Sequence, residues 1–137
     1  MSLANQVQKY QLVQIESSTP EGLVVLAYDA LLKFLYAGKA NIAEKNIEES
    51  HVALKKAQLL IWELINALKT DAWEGATDLL RLYQYLLSEI ATANVQKNAD
   101  PLERVIPMVR QLRDAWSNAY KQVQAQKKPS ISVNTRG

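Results

Sequence analysis

Glu48 and His51 are the pair whose types and spacing come closest to a chemical motif. A Glu-x-x-His step puts a carboxylate and an imidazole on one helix face, as di-metal helical bundles require. Such a centre needs the motif twice, plus two more inward glutamates, and His51 is the only histidine in the chain. His51 also falls beside a seam position, Ser50, so it reads as a solvated or boundary histidine. Haem would require a core-facing axial ligand, for which the chain offers only His51, Met1 and Met108. Cysteine is absent, which removes disulfides, thiolate nucleophiles and iron–sulfur clusters together. No glycine-rich phosphate loop, nucleophile elbow or facing carboxylate pair stands out. Glu48-Glu49 and Asp114 read as solvated faces, and Asp78 with Arg81 as a surface pair one turn apart. The expectation is therefore no catalytic residue, no metal and no cofactor: not an enzyme.

Charge narrows the partners. A formal net charge of +2 on 137 residues supplies no general field for nucleic acid. Nothing after Asp114 is acidic, while Lys121, Lys127, Lys128 and Arg136 are basic. Four charges without interleaved aromatics are a weak phosphate signal, so no nucleic acid is expected. No apolar run approaches the roughly 18–20 residues of a membrane span. Before Pro20 the one positive side chain is Lys9, with no apolar stretch behind it, so no secretory signal is read there. These readings favour a soluble, cytoplasmic protein without membrane insertion.

The elements that position these residues are helices. Thr19-Pro20-Glu21 combines a hydroxyl cap, a proline at the first helical position and an early carboxylate. Leu23, Leu26, Ala27, Ala30, Leu31, Phe34, Leu35 and Ile42 then recur at three- and four-residue steps. Gly38 and Asn41 weaken that helix and Lys45-Asn46 breaks it. Asn46 with Glu49 predicts a capping box. A heptad follows, with Ile47, Leu54, Ile61 and Leu68 on one seam position and Ser50, Ala57 and Leu64 on the other. Thr70-Asp71 punctuates a third helix carrying Ala72, Ala76, Leu79, Tyr83, Leu86, Ile90 and Ala93. Asp100-Pro101-Leu102-Glu103 predicts the strongest helix start, with Asp100 as cap, and Pro107 should kink or loosen the second turn of that helix. The fold expected is all-α: an antiparallel up-down four-helix bundle over residues 20–125. A flexible N-terminal arm (1–19) and a disordered basic tail (126–137) flank it.

Apolar and aromatic side chains beside the seams stand out. Tyr10, Val13 and Ile15 sit in an otherwise polar arm. Tyr28 flanks the first helix's stripe, Trp62 and Ile65 the second's, and Leu80 and Leu87 the third's. They are either a wide core stripe, which bundles commonly have, or a second apolar surface that receives a partner helix.

The segment Tyr10-Gln11-Leu12-Val13-Gln14-Ile15-Glu16-Ser17-Ser18-Thr19-Pro20-Glu21 resembles the opening of the flagellar secretion chaperone family, the FliS type. Leu26-Ala27-Tyr28-Asp29-Ala30-Leu31-Leu32-Lys33-Phe34-Leu35 is similar to that family's first helix, with Ala30 where the family has glycine. Lys56-Ala57-Gln58, Glu63-Leu64, Leu82-Tyr83-Gln84-Tyr85, Ala93-Asn94 and Leu112-Arg113-Asp114-Ala115-Trp116 follow in the family's order. The resemblance implies a cytoplasmic chaperone for the C-terminal segment of flagellin, one that prevents early polymerisation and aids secretion, with other flagellar export components as further partners. It implies that Tyr10, Val13 and Ile15 form a gating arm, and that Tyr28, Trp62, Ile65, Leu80, Tyr83 and Leu87 line the groove. The alternative is a generic helical-bundle adaptor or a homodimer.

Overall fold

The computed structural model describes residues 20–69 and 73–136, with side chains over 22–69 and 73–125. Tyr10, Val13 and Ile15, together with the Thr70-Asp71-Ala72 punctuation, lie outside the described residues. Four helices follow in order: α1 (Pro20–Ala43), α2 (Ile47–Ala67), α3 (Ala76–Gln96) and α4 (Asp100–Arg136). Each packs against its chain neighbour, and α4 closes the ring on α1. Short joints between successive helices make the neighbours antiparallel, as the sequence predicts, and place α1 and α3 on a diagonal.

The helix ends have local causes. Pro20 is the first helical residue of α1, where its missing N–H leaves no bond unmade. Lys45 takes the left-handed conformation (φ 62°). The Lys45 N–H donates to Ile42 O at 3.0 Å and the Asn46 N–H to Asn41 O at 2.8 Å, a Schellman closure with lysine in the usual glycine position. Asn46 precedes α2 without forming the expected capping box, since its side chain makes no cap bond. The Asn46 amide instead donates back to Asn41 Oδ1 at 3.1 Å. At the joint between α3 and α4, Lys97 is left-handed, and Asn98 Oδ1 accepts from the Asp100 N–H at 3.0 Å. Asp100, expected as the cap, is thus the first residue of α4, and the bond to its N–H comes from Asn98. Helix α4 is continuous through Pro107, against the expected loosening. Pro107 is on an exposed face, and the carbonyl it leaves unpaired belongs to exposed Glu103. The helix passes position 125 and reaches Arg136, while the side chains expected to form the tail lie outside those described.

Seam residues fill the interior. Leu54, Ala57, Ile61 and Leu64 of α2 meet Leu79, Tyr83, Leu86 and Ile90 of α3, with Tyr28, Leu31 and Leu35 of α1 and Leu102, Val105 and Val109 of α4. Ser50 is buried, its hydroxyl satisfied by Ile47 O at 2.7 Å. Ile47, expected on the seam, is instead 55% exposed. Gly38 has a packing role besides its low helix propensity. A Cβ there would stand 2.4 Å from Leu54 Cδ2 and 2.8 Å from Leu54 Cγ, and Leu54 is fully buried.

Gly38→Ala gains about 1 kcal/mol of helix propensity but overpacks a filled interior, at about 1–3 kcal/mol. Urea unfolding should show a net loss of stability; a gain would mean that Leu54 has room to shift.

Candidate functional site

Three of the segments that resemble family motifs meet at one level of the bundle. The Tyr28 and Tyr83 hydroxyls are 2.6 Å apart, joining α1 to α3 across the diagonal. Burial pushes both phenols above their ordinary value, Tyr28 the further. Proximity to Tyr83 raises Tyr28 further, while a hydrogen bond from Trp116 opposes that rise. Next to this pair, Arg113 Nε donates to Asp29 Oδ1 at 2.8 Å, tying α4 to α1. Both partners are part-exposed, so the pair orients more than it stabilises.

Tyr83 and Trp116 also border a groove of about 270 Å³ at the end of the bundle where α1 begins. Val24, Leu64, Leu68, Leu79 and half-exposed Trp73 complete its apolar wall, with Lys69 at the rim. Gly75 lies beside it, and the Trp73 ring covers the place where a Cβ on Gly75 would stand. Sequence reasoning does not single out Trp73, Trp116 or Leu68 as site residues. The signal that could have found the groove is Trp73, a tryptophan placed in a connection two residues before a glycine.

A second feature runs along the outer side of α2 and α3. Lys97 Nζ donates to Asn94 Oδ1 at 2.6 Å, which turns the Asn94 amide nitrogen toward His51 Nδ1 at 3.0 Å. His51 therefore accepts at Nδ1. It is exposed, and among the described residues no group of three or more His, Cys, Asp or Glu could hold a metal. The His51–Asn94 bond sets the level of the antiparallel pair. One heptad on from it, Gln58 stands level with Leu87; another heptad brings Ile65 level with Leu80. Leu64 and Leu79, one residue earlier on each helix, do border a common groove. Ile65 and Leu87 are half-buried against the core, Leu80 is half-buried, and Trp62 is 52% exposed. The Gln58 Oε1 in this seam is buried without a hydrogen-bond partner among the described residues.

The expected groove residues thus divide. Trp62 and Ile65 of α2 and Leu80 and Leu87 of α3 lie on the flanks that the His51–Asn94 register brings level, each at least partly exposed. Tyr28 and Tyr83 are corrected to core, at 0% and 2% exposure, because the phenol pair points inward; Tyr83 reaches only the floor of the end groove. Tyr10, Val13 and Ile15 lie outside the described residues. Among the described residues no helix is long and apolar enough to cross a membrane.

Fold and surface together define a class: an antiparallel helical bundle with an apolar seam and an end groove outside its filled core. The family model described as Flagellar protein FliS matches residues 3–123, and the chain belongs to that family. It is similar to the flagellar secretion chaperone FliS of Bacillus subtilis, 28% identical over 121 residues that cover 88% of this chain and 90% of that protein. The flagellar secretion chaperones FliS of Campylobacter jejuni (28% identical, 81% and 88% covered) and Escherichia coli K12 (26%, 87% and 92%) are similar over most of both chains as well.

Tyr28→Phe alone strands the buried Tyr83 hydroxyl and should cost about 1–2 kcal/mol, while Tyr83→Phe should cost less, because Trp116 still reaches the Tyr28 hydroxyl. The double variant should lose less than the sum, read by urea unfolding. The raised phenols keep their protons in the folded state where the unfolded chain, near the ordinary value of 10.0, releases them. Their contribution is complete below pH 10 and is lost as pH rises above it. The double variant should show a shallower alkaline fall than the parent.

Proposed function

We propose that this protein is a cytoplasmic, non-enzymatic export chaperone that binds the C-terminal segment of flagellin. The family supports the chaperone role. The observation that carries the client assignment is the apolar surface left outside the filled core: half-exposed Trp62, half-buried Leu80 and the outer faces of Ile65 and Leu87, continuing toward the end groove at Trp73. An amphipathic client segment lays its apolar face there as helices. Ordering it costs conformational entropy, so the contact has to be large and apolar. While covered, that face cannot pair with other flagellin copies, and premature polymerisation is prevented until secretion. The arm with Tyr10, Val13 and Ile15 joins α1 at Pro20, within reach of the end groove, and competes with the client for it. The closed arm then lowers apparent affinity by the fraction of time that it occupies the groove.

Size-exclusion chromatography with full-length flagellin and with flagellin lacking its C-terminal segment tests this: only the former should co-elute. Undiminished binding of the truncated form overturns the reading. Trp62→Asp with Leu80→Asp should weaken the complex about tenfold or more while the melting temperature changes little, since neither side chain is fully buried. A dimer by light scattering that ignores flagellin would favour the homodimer alternative, for which half-exposed Leu59 and Trp62 provide surface.

A further inference from the structure

The other flank of α2 carries a separate trough of about 420 Å³, between α1 and α2. Phe34, Ala37, Val52 and Ala53 form its apolar surface, and Val52 is 48% exposed. Its charges are sorted by sign. Lys33 and Lys56 stand at one end and Glu48 and Glu49 at the other. The helices are antiparallel, so the step from Lys56 to Glu48 matches the step from Lys33 to Asn41, about 12 Å along the trough at the helical rise. None of these four charges forms an ion pair with another described residue. The Lys56 ammonium rests over the Phe34 ring, 5.6 Å from its centre, so the cation stays at the trough rather than reaching along it to the glutamates.

We propose that this trough docks an amphipathic helix of a second protein partner, carrying a basic and an acidic residue about two turns apart beside an apolar face. The basic residue meets Glu48 and Glu49, the acidic one meets Lys33 and Lys56, and apolar side chains between them cover Phe34 and Val52. A helix N-terminus directed at the glutamates adds its dipole to the same alignment. The surface lies on the opposite flank of α2 from the seam that includes Trp62 and Ile65, so the inference goes beyond the client assignment and does not rest on it.

Three synthetic helical peptides with one apolar face test it on the full chain. One carries a lysine and a glutamate two turns apart, one carries two glutamates, and one carries two lysines. Neither single-sign peptide can satisfy both ends of the trough in any orientation. By fluorescence anisotropy at low salt, the mixed peptide should bind about three- to tenfold tighter than either twin. The preference should shrink at high salt. Amide shifts in the nitrogen–proton spectrum should centre on Phe34, Val52 and Lys56, and Val52→Asp should abolish them. Equal affinities for the three peptides, or shifts centred on Trp62 and Leu80, overturn the proposal. Displacement of the peptide by a flagellin C-terminal segment would assign the trough to the client and overturn a separate partner. A dimer that Val52→Asp dissolves would assign the trough to a second copy and overturn a separate partner in the same way.

Discussion

Tyr28 and Tyr83 belong to helices that face each other across the diagonal, so the 2.6 Å between their hydroxyls spans a gap that adjacent-helix packing does not control. Both phenols are removed from water, and a buried hydroxyl without a partner costs about 1–3 kcal/mol. Keeping the bond therefore holds α1 and α3 at one separation. Two long aromatic side chains fill the centre of the bundle at that level. At another level, α1 and α2 meet across Gly38, where nothing larger than hydrogen fits against Leu54.

The exterior follows from this spacing. Beside the phenol pair, Leu64, Leu68, Leu79 and Trp116 border a groove at the end of the bundle. Along α2 and α3, the core takes the inner seam and leaves Trp62, Leu80 and the outer faces of Ile65 and Leu87 beside it. An apolar surface of this kind is a by-product of stripes wider than the core they serve. The polar bonds at the other end, from Lys97 through Asn94 to His51, keep α2 and α3 level, and the alignment of the seam depends on that register.

Much of this is legible in local pattern. Leu54, Ala57, Ile61 and Leu64 occupy the seam that their heptad spacing predicts, and Pro20 begins α1 as its fixed φ suggests. The first helix break falls at Lys45 as expected, and α3 ends at Lys97 in the same way, with lysine rather than glycine in the left-handed position in both. The caps are less legible. Asn46 and Asp100 each have the right residue type, but a side chain can bond backward as readily as forward, and Asn41 and Asn98 determine which bonds form. The loosening expected at Pro107 considers only its missing N–H; its exposed face makes the lost bond inexpensive, because water can reach the carbonyl.

Residue types and spacing by themselves determined the helices, their stripes, the order of the motifs and, through them, the family, because backbone propensity and periodicity act over a few residues. Which side of a stripe faces inward depends on helices distant in the chain. Tyr28 and Trp62 both flank seams in sequence, yet one is sealed in the core and the other half-exposed. Only the tertiary structure could separate them. The difference is made by Tyr83, a residue 55 positions away from Tyr28, and by the outer face of α2, over which no further helix packs among the described residues.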